Sequence, residues 1–270
     1  MLKKIALLFL LLNQTGFGQQ IDDMTVKNLT NDLRSADVGG RMLEIGQKLI
    51  GLPYLTGSLE APEEKLTCRL DGFDCYTFVE TVLALARVSN TEDVSKDAFL
   101  SEMQYLRYRN GLIDGYASRI HYFFEWAKRA EENGILKDLT PTLGTRYPKS
   151  INFMSTHRQY YPAFKTDNAV LADIKAMEAQ VDKYPFYEIK KTDFQKTKSA
   201  IKNGDIIAFT STINGLDVNH EGLALWINGE LFFMHASSEL KKVAISNEPL
   251  SVYLDRIKKH AGLMVLRVNS

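Results

Sequence analysis

Cysteine is scarce in this 270-residue chain, occurring only at Cys68 and Cys75. Two thiols seven residues apart cannot staple a fold of this size, so the chain must hold together through an ordinary apolar core, for which its 45% hydrophobic content suffices. An excess of one charge is also missing. The 33 basic and 33 acidic residues cancel, so no overall field recruits nucleic acid or an anionic membrane, and selectivity must be local. Past the N-terminus no apolar run is long enough to cross a bilayer. Internal repeats and low-complexity tracts are absent too, which excludes a solenoid or a long disordered arm.

What is present begins with a leader. Lys3 and Lys4, the apolar stretch from Ile5 to Leu12 and the small residues Gly16 and Gly18 follow the order of a secretory signal peptide, cleaved before Gln19. No cysteine follows that point, so a lipid anchor is not expected. Residues 19–270 then form a single exported domain, expected in the periplasm and not stably inserted in the membrane once the leader is gone.

Apolar residues at helical spacing run from Val26 to Leu33 and from Met42 to Ile50, where Gly51-Leu52-Pro53 stops the second run. Asp74 is placed to cap a helix from Cys75 to near Arg87, Ser95 one reaching Tyr108, and Ser118 one from Arg119 to about Asn133. The Pro-, Ser- and Tyr-rich stretch from Leu139 to Phe164 reads as ordered loop. After Asn203-Gly204 the period becomes two, predicting strands at Asp205–Thr210, Gly222–Ile227, Glu230–His235 and Met264–Val268. A helical first half and an antiparallel second half predict an α+β fold, the helices packed on an antiparallel sheet or barrel with the active site between the layers.

Cys75 is the first candidate for chemistry. A thiol at the first turn of a helix meets unpaired backbone amides and the positive end of the dipole, which favour thiolate. The N–H of Cys75 or Tyr76 could hold an oxyanion there. Simple core packing is the competing reading, and a Cys68–Cys75 disulfide is a further alternative that would silence the thiol. The base would come from a hairpin. Asn228-Gly229 is a two-residue turn signal that sets Ile227 against Glu230 and, counting back, Gly222 against His235. His220 and His235 then share one sheet face as diagonal neighbours about 7–8 Å apart at the backbone, within imidazole–imidazole reach. Zinc is the rival use of two histidines, but alternation sends Glu221 to the opposite face and no third ligand is evident. No metal or organic cofactor is expected.

Four stretches resemble the NlpC-type cell-wall hydrolases, papain-like cysteine peptidases that act on peptidoglycan. They are Gly51-Leu52-Pro53-Tyr54 with Gly57, Phe73-Asp74-Cys75, the strand Asn203 to Phe209, and Asn219-His220 with His235-Ala236-Ser237. The resemblance implies Cys75 as nucleophile, His220 as base, His235 as orienting residue and Tyr54 lining the site. About 145 residues separate Cys75 from His220, more than in ordinary members, which marks an insertion at about 107–190.

The strings Tyr116 to Phe123 and Ile151 to His157, and threonine at Thr77, are similar to a narrower branch long catalogued as a domain of unknown function. That branch is associated with amidases that separate anhydro-N-acetylmuramic acid from L-alanine in recycled muropeptides. Within the insertion, Arg119, His121, Ser155, His157 and Tyr160 are polar residues among aromatics, expected with Tyr54 and Asp74 to bind the sugar–peptide junction. Two alternatives stay open: a γ-D-glutamyl–diamino-acid endopeptidase, and a protein that binds muropeptides without cutting them.

Overall fold

The computed structural model describes residues 21–61 and 63–270, so the expected leader lies outside the described residues. The first helices are α1 (Asp23–Thr30), α2 (Val38–Lys48), α3 (Cys75–Val88) and α4 (Lys96–Arg107). Each starts at a side chain that accepts from an otherwise unpaired backbone amide: Asp22, Asp37, Asp74 and Ser95. Helix α3 is buried nearly all round, from Thr77 to Ala86, and packs against α2 and α4 on one side and the sheet on the other. That all-round apolarity makes it the central helix. The remaining helices are α5 (Phe123–Glu132), the single turns α6 (Thr140–Leu143) and α7 (Phe153–Thr156), α8 (Asn168–Val181), the short α9 (Phe194–Thr197) and α10 (Leu250–Arg256).

The strands are β1 (Leu136–Asp138), β2 (Thr145–Arg146), β3 (Tyr187–Lys190), β4 (Ile206–Ser211), β5 (Val218–Ile227), β6 (Glu230–Ser237), β7 (Lys242–Ile245) and β8 (His260–Val268). They form an antiparallel sheet in the order β2-β3-β8-β4-β5-β6-β7, with β1 also on β8. Both faces are covered. Ile206, Ala208, Leu223, Met234 and Leu266 join the core under the helices, while their neighbours Ile207, Phe209, Ala224, Phe233 and Val265 pack with Leu250 and Leu254 of α10. Double coverage explains why β4 and β8 read as almost unbroken apolar runs. Alternation turns Glu221 toward the helices and His220 toward α10.

Three expectations change. The insertion is built into the sheet: β1 and β3 both pair with β8, and one short strand, β2, and several helical turns occupy what reads as loop. The helix expected from Arg119 starts only at Phe123. Residues 119–122 are captured as extended chain, because Ile120 N donates to Arg107 O at 2.8 Å and Arg119 bridges Tyr108. The cap comes from far away, Asp217 accepting from Phe124 N at 2.8 Å, while Ser118 closes a turn at Gly115 O instead. Among the described residues the sheet's end strands β2 and β7 do not pair with each other, so it is open and not a barrel.

Candidate active site

The turn between β5 and β6 has the expected register. Ile227 faces Glu230, and the ladder continues to Leu223 opposite Met234. Asn228 and Gly229 both hold positive φ, at 51° and 82°, the mirror-image turn whose twist matches the strands it joins. One pair further along, Gly222 has no side chain, and the two histidines meet beside it. His220 Nε2 lies 2.5 Å from His235 Nδ1. A Cβ on Gly222 would sit 2.6 Å from Met234 O and 3.0 Å from His235 Cβ, so only glycine leaves that approach open.

Cys75 opens α3. Asp74 caps the helix, its Oδ1 accepting from Thr77 N at 2.8 Å, and Thr77 Oγ1 returns by accepting from Asp74 N at 3.0 Å. This reciprocal pair fixes where the first turn begins. The Cys75 sulfur takes hydrogen bonds from the amides of Tyr76 and Glu221. Glu221 directly follows His220, so the structure brings the nucleophile candidate to the strand position beside the base candidate. The β5–β6 ladder has ended there, which leaves that amide for the sulfur. Both cysteines are free thiols, which excludes the disulfide in this structure.

Tyr54 is pinned nearby. Its amide donates to Lys241 O at 3.0 Å, and Leu55 N donates to Phe73 O at 2.9 Å, tying the segment to both the sheet edge and the nucleophile turn. Burial, and then the neighbouring Cys75, push its phenol upward and keep it protonated.

The electrostatics differ from the thiolate expectation. Burial raises the Cys75 thiol well above its ordinary range, Glu221 and Asp74 add to this, and the Glu221 and Tyr76 amides oppose it without winning. His220 is 8% exposed, and burial draws its pKa down to about 4. His235 is depressed further by burial and by His220. Burial thus works against both the thiolate and the imidazolium in the resting site. Since His220 Nε2 is committed to His235 Nδ1, His220 Nδ1 is the nitrogen left to accept a proton. That assignment requires Nε2–H on His220, donating to His235.

The predicted binding residues of the insertion lie in two adjacent groups. Arg119 is 5% exposed and pairs with Glu60 at 3.0 Å and Glu64 at 3.2 Å, below the ring of Tyr116. His121 donates from Nε2 to Tyr116 O at 2.8 Å and is held neutral by burial and Arg119. Ser155 N donates to Glu178, and His157 stacks between Phe153 and the exposed Tyr160. Phe164 links the groups through Tyr116 and Tyr161. Among the described residues no hydrogen bond or ring contact joins either group to Cys75, His220 or His235; the field of Arg119 does reach Tyr76.

Three features escape the sequence reading. Tyr253 of α10 packs against His220, His235 and Phe209, and His260 closes the same aromatic box. Their sequence signal is weak, since neither lies near another candidate along the chain. The third is an ion pair beneath the nucleophile turn: Arg107 donates to Glu80 Oε2 through Nε at 2.8 Å and Nη2 at 2.6 Å, and to Thr67 O through Nη1. A glutamate on the apolar helix α3 could have flagged it.

A family model for N-acetylmuramoyl-L-alanine amidase-like proteins matches residues 44–263, which include every element of this site. The chain belongs to that family. Among solved structures, this amidase-like enzyme is similar to an N-acetylmuramoyl-L-alanine amidase from Bacteroides uniformis, at 37% identity over 86% of this chain and 99% of that one, with a TM-score of 0.82. A chain from Bacteroides fragilis provisionally named a xylanase is 36% identical over 83% and 99%, at a TM-score of 0.78. A protein from Legionella pneumophila str. Philadelphia 1 is 25% identical over 92% and 94%, at 0.70. No curated protein matches the chain. The enzyme is therefore amidase-like, with a peptidoglycan-related role.

Proposed function

We propose that this enzyme is a papain-like cysteine amidase of the NlpC type that cuts the amide joining N-acetylmuramic acid, or its anhydro form, to L-alanine in peptidoglycan fragments. The observation that carries the reading is the contact of the Cys75 sulfur with the amide that follows His220, itself bonded to His235 at 2.5 Å. His220 Nδ1 takes the thiol proton as sulfur attacks the lactyl carbonyl, and the amides of Cys75 and Tyr76 receive the oxyanion. The C–N bond then breaks as His220 returns the proton to the leaving amine. Water attacks the thioester, gives its proton to His220, and frees the lactyl carboxylate and the thiol. His235 keeps His220 in the tautomer this requires. Tyr54, Asp74, Arg119, His121, Ser155, His157 and Tyr160 are assigned to substrate binding, Arg119 by holding Glu60 and Glu64 in place. The periplasm is the compartment we infer, from the leader.

Mass analysis of products from a defined anhydro-muropeptide tests the bond. Free anhydro sugar and an intact peptide starting at L-alanine are expected; a sugar still carrying a dipeptide would instead make this an endopeptidase.

Gly222→Ala tests the histidine pair. Because the new Cβ must displace backbone or His235, kcat should fall about 100-fold, the cost of misplacing a catalytic group by about 1 Å. Stability should fall by only about 1–3 kcal/mol, the usual result of overpacking. Parallel kinetics and urea denaturation check both, and unchanged kcat would refute the role of the pair.

A further inference from the structure

A cavity adjoins the histidine pair on the side away from α3. It lies between the turn after β6 and helix α10, has a volume of about 360 Å³, and reaches His235. Tyr253 and Arg256 line it from α10, Glu239 from the turn, and Asn247 and Glu248 from the segment leading into α10. Arg256 is held in one orientation, 2.7 Å from Glu248 and 3.0 Å from Glu239, with its guanidinium over the Tyr253 ring. The Asn247 side chain is exposed and has no hydrogen bond among the described residues.

The chemistry orients a substrate along this line. With its carbonyl carbon at the Cys75 sulfur, the scissile amide must present its nitrogen to His220, which protonates it on departure. The cavity reaches His235, whose Nδ1 stands 2.5 Å from His220 Nε2, so it is the hollow next to the group that serves the leaving amine. We propose that this cavity is the subsite for the amine-side peptide, the part of the substrate that begins at the released amine. A peptide needs acceptors for its N–H groups and donors for its carbonyls and carboxylates. Glu239 and Glu248 supply the first, Arg256 and Asn247 the second. The volume falls within the range of small-ligand pockets and suits a residue or two.

The subsite rests on the hydrolase reading above, and the experiment separates the two. Two substrates share one acyl group and differ on the amine side, L-alanine alone against an L-alanine-initiated tripeptide. For the wild-type enzyme kcat/KM should favour the tripeptide, mainly through KM. Asn247→Ala and Arg256→Gln should each lower that preference about tenfold, the scale of one hydrogen bond to a charged or well-placed group. The ratio is insensitive to how much of each variant folds. Equal rates on the two substrates, or an unaltered ratio in both variants, would overturn the subsite and leave the hydrolase reading standing. Failure of the wild type to cut either substrate, or cutting by Cys75→Ala, would sink both.

Discussion

Cys75→Ala is expected to lower kcat for muropeptide cleavage about 10⁴-fold or more while leaving the fold intact. Nucleophile removal in hydrolases of this logic costs that much, because only oxyanion binding and substrate positioning remain. Stability should hardly change, since the helix start is fixed by Asp74 and Thr77 and not by the thiol. His220→Ala should cost nearly as much, and the double variant no more than either single one, because the pair acts as a unit. The pH dependence follows from burial. His220 must be neutral to accept the proton, and its pKa is held down to about 4. The acid limb of kcat/KM should therefore lie well below the ordinary histidine value of 6.5, with the plateau kept through pH 6 and lost as pH falls toward about 4. Iodoacetamide labelling of Cys75 should climb only in the alkaline range, as burial keeps the thiol protonated. Retained cleavage in Cys75→Ala, or a thiolate plateau at neutral pH, would contradict these statements.

The second large effect is on stability. Arg107 and Glu80 each expose 1% of their side chains, and Tyr76 Oη donates to Glu80 Oε1 at 3.3 Å. Burial raises the Glu80 carboxyl above its ordinary range, and Arg107 is the main influence that opposes this. Arg107→Met leaves that carboxyl buried without its counter-charge and also drops the bond to Thr67 O, so a loss of about 3–5 kcal/mol is expected. For a domain of this size that corresponds to a melting temperature lower by about 10 °C. Glu80→Leu combined with Arg107→Met should recover most of the loss, since two apolar residues bury no unpaired charge. Calorimetry of the two variants checks this: a double variant as unstable as the single would show that Arg107 acts mainly through the strap at Thr67.

Legibility in the sequence followed the range of the interactions. Asp74 and Ser95 announce helix starts because a cap reads only the next three residues, whereas the apolar runs from Val26 and Met42 miss the starts of α1 at Asp23 and α2 at Val38, which Asp22 and Asp37 cap. Asn228-Gly229 set the hairpin register, and with it the meeting of His220 and His235, because a two-residue turn leaves one pairing and the pleat has period two. Helix α8 was equally readable from Ile174, Met177 and Val181 behind Asp167. The late start of α5 was not, since Asp217, 93 residues away, supplies its cap.

By itself, the sequence determined the chemical parts: a thiol at a helix start, two imidazoles on one hairpin face, and neutral overall charge that leaves recognition to local groups. Only the tertiary structure decided their state and their setting. Local amides favour thiolate, yet folding desolvates the sulfur and brings Glu221 beside it, and desolvation outweighs two hydrogen bonds. The aromatic box of Tyr253 and His260, the Glu80–Arg107 pair and the cavity beside His235 all join segments far apart in the chain. No local pattern encodes such contacts, because they arise from which faces of the sheet the helices happen to cover.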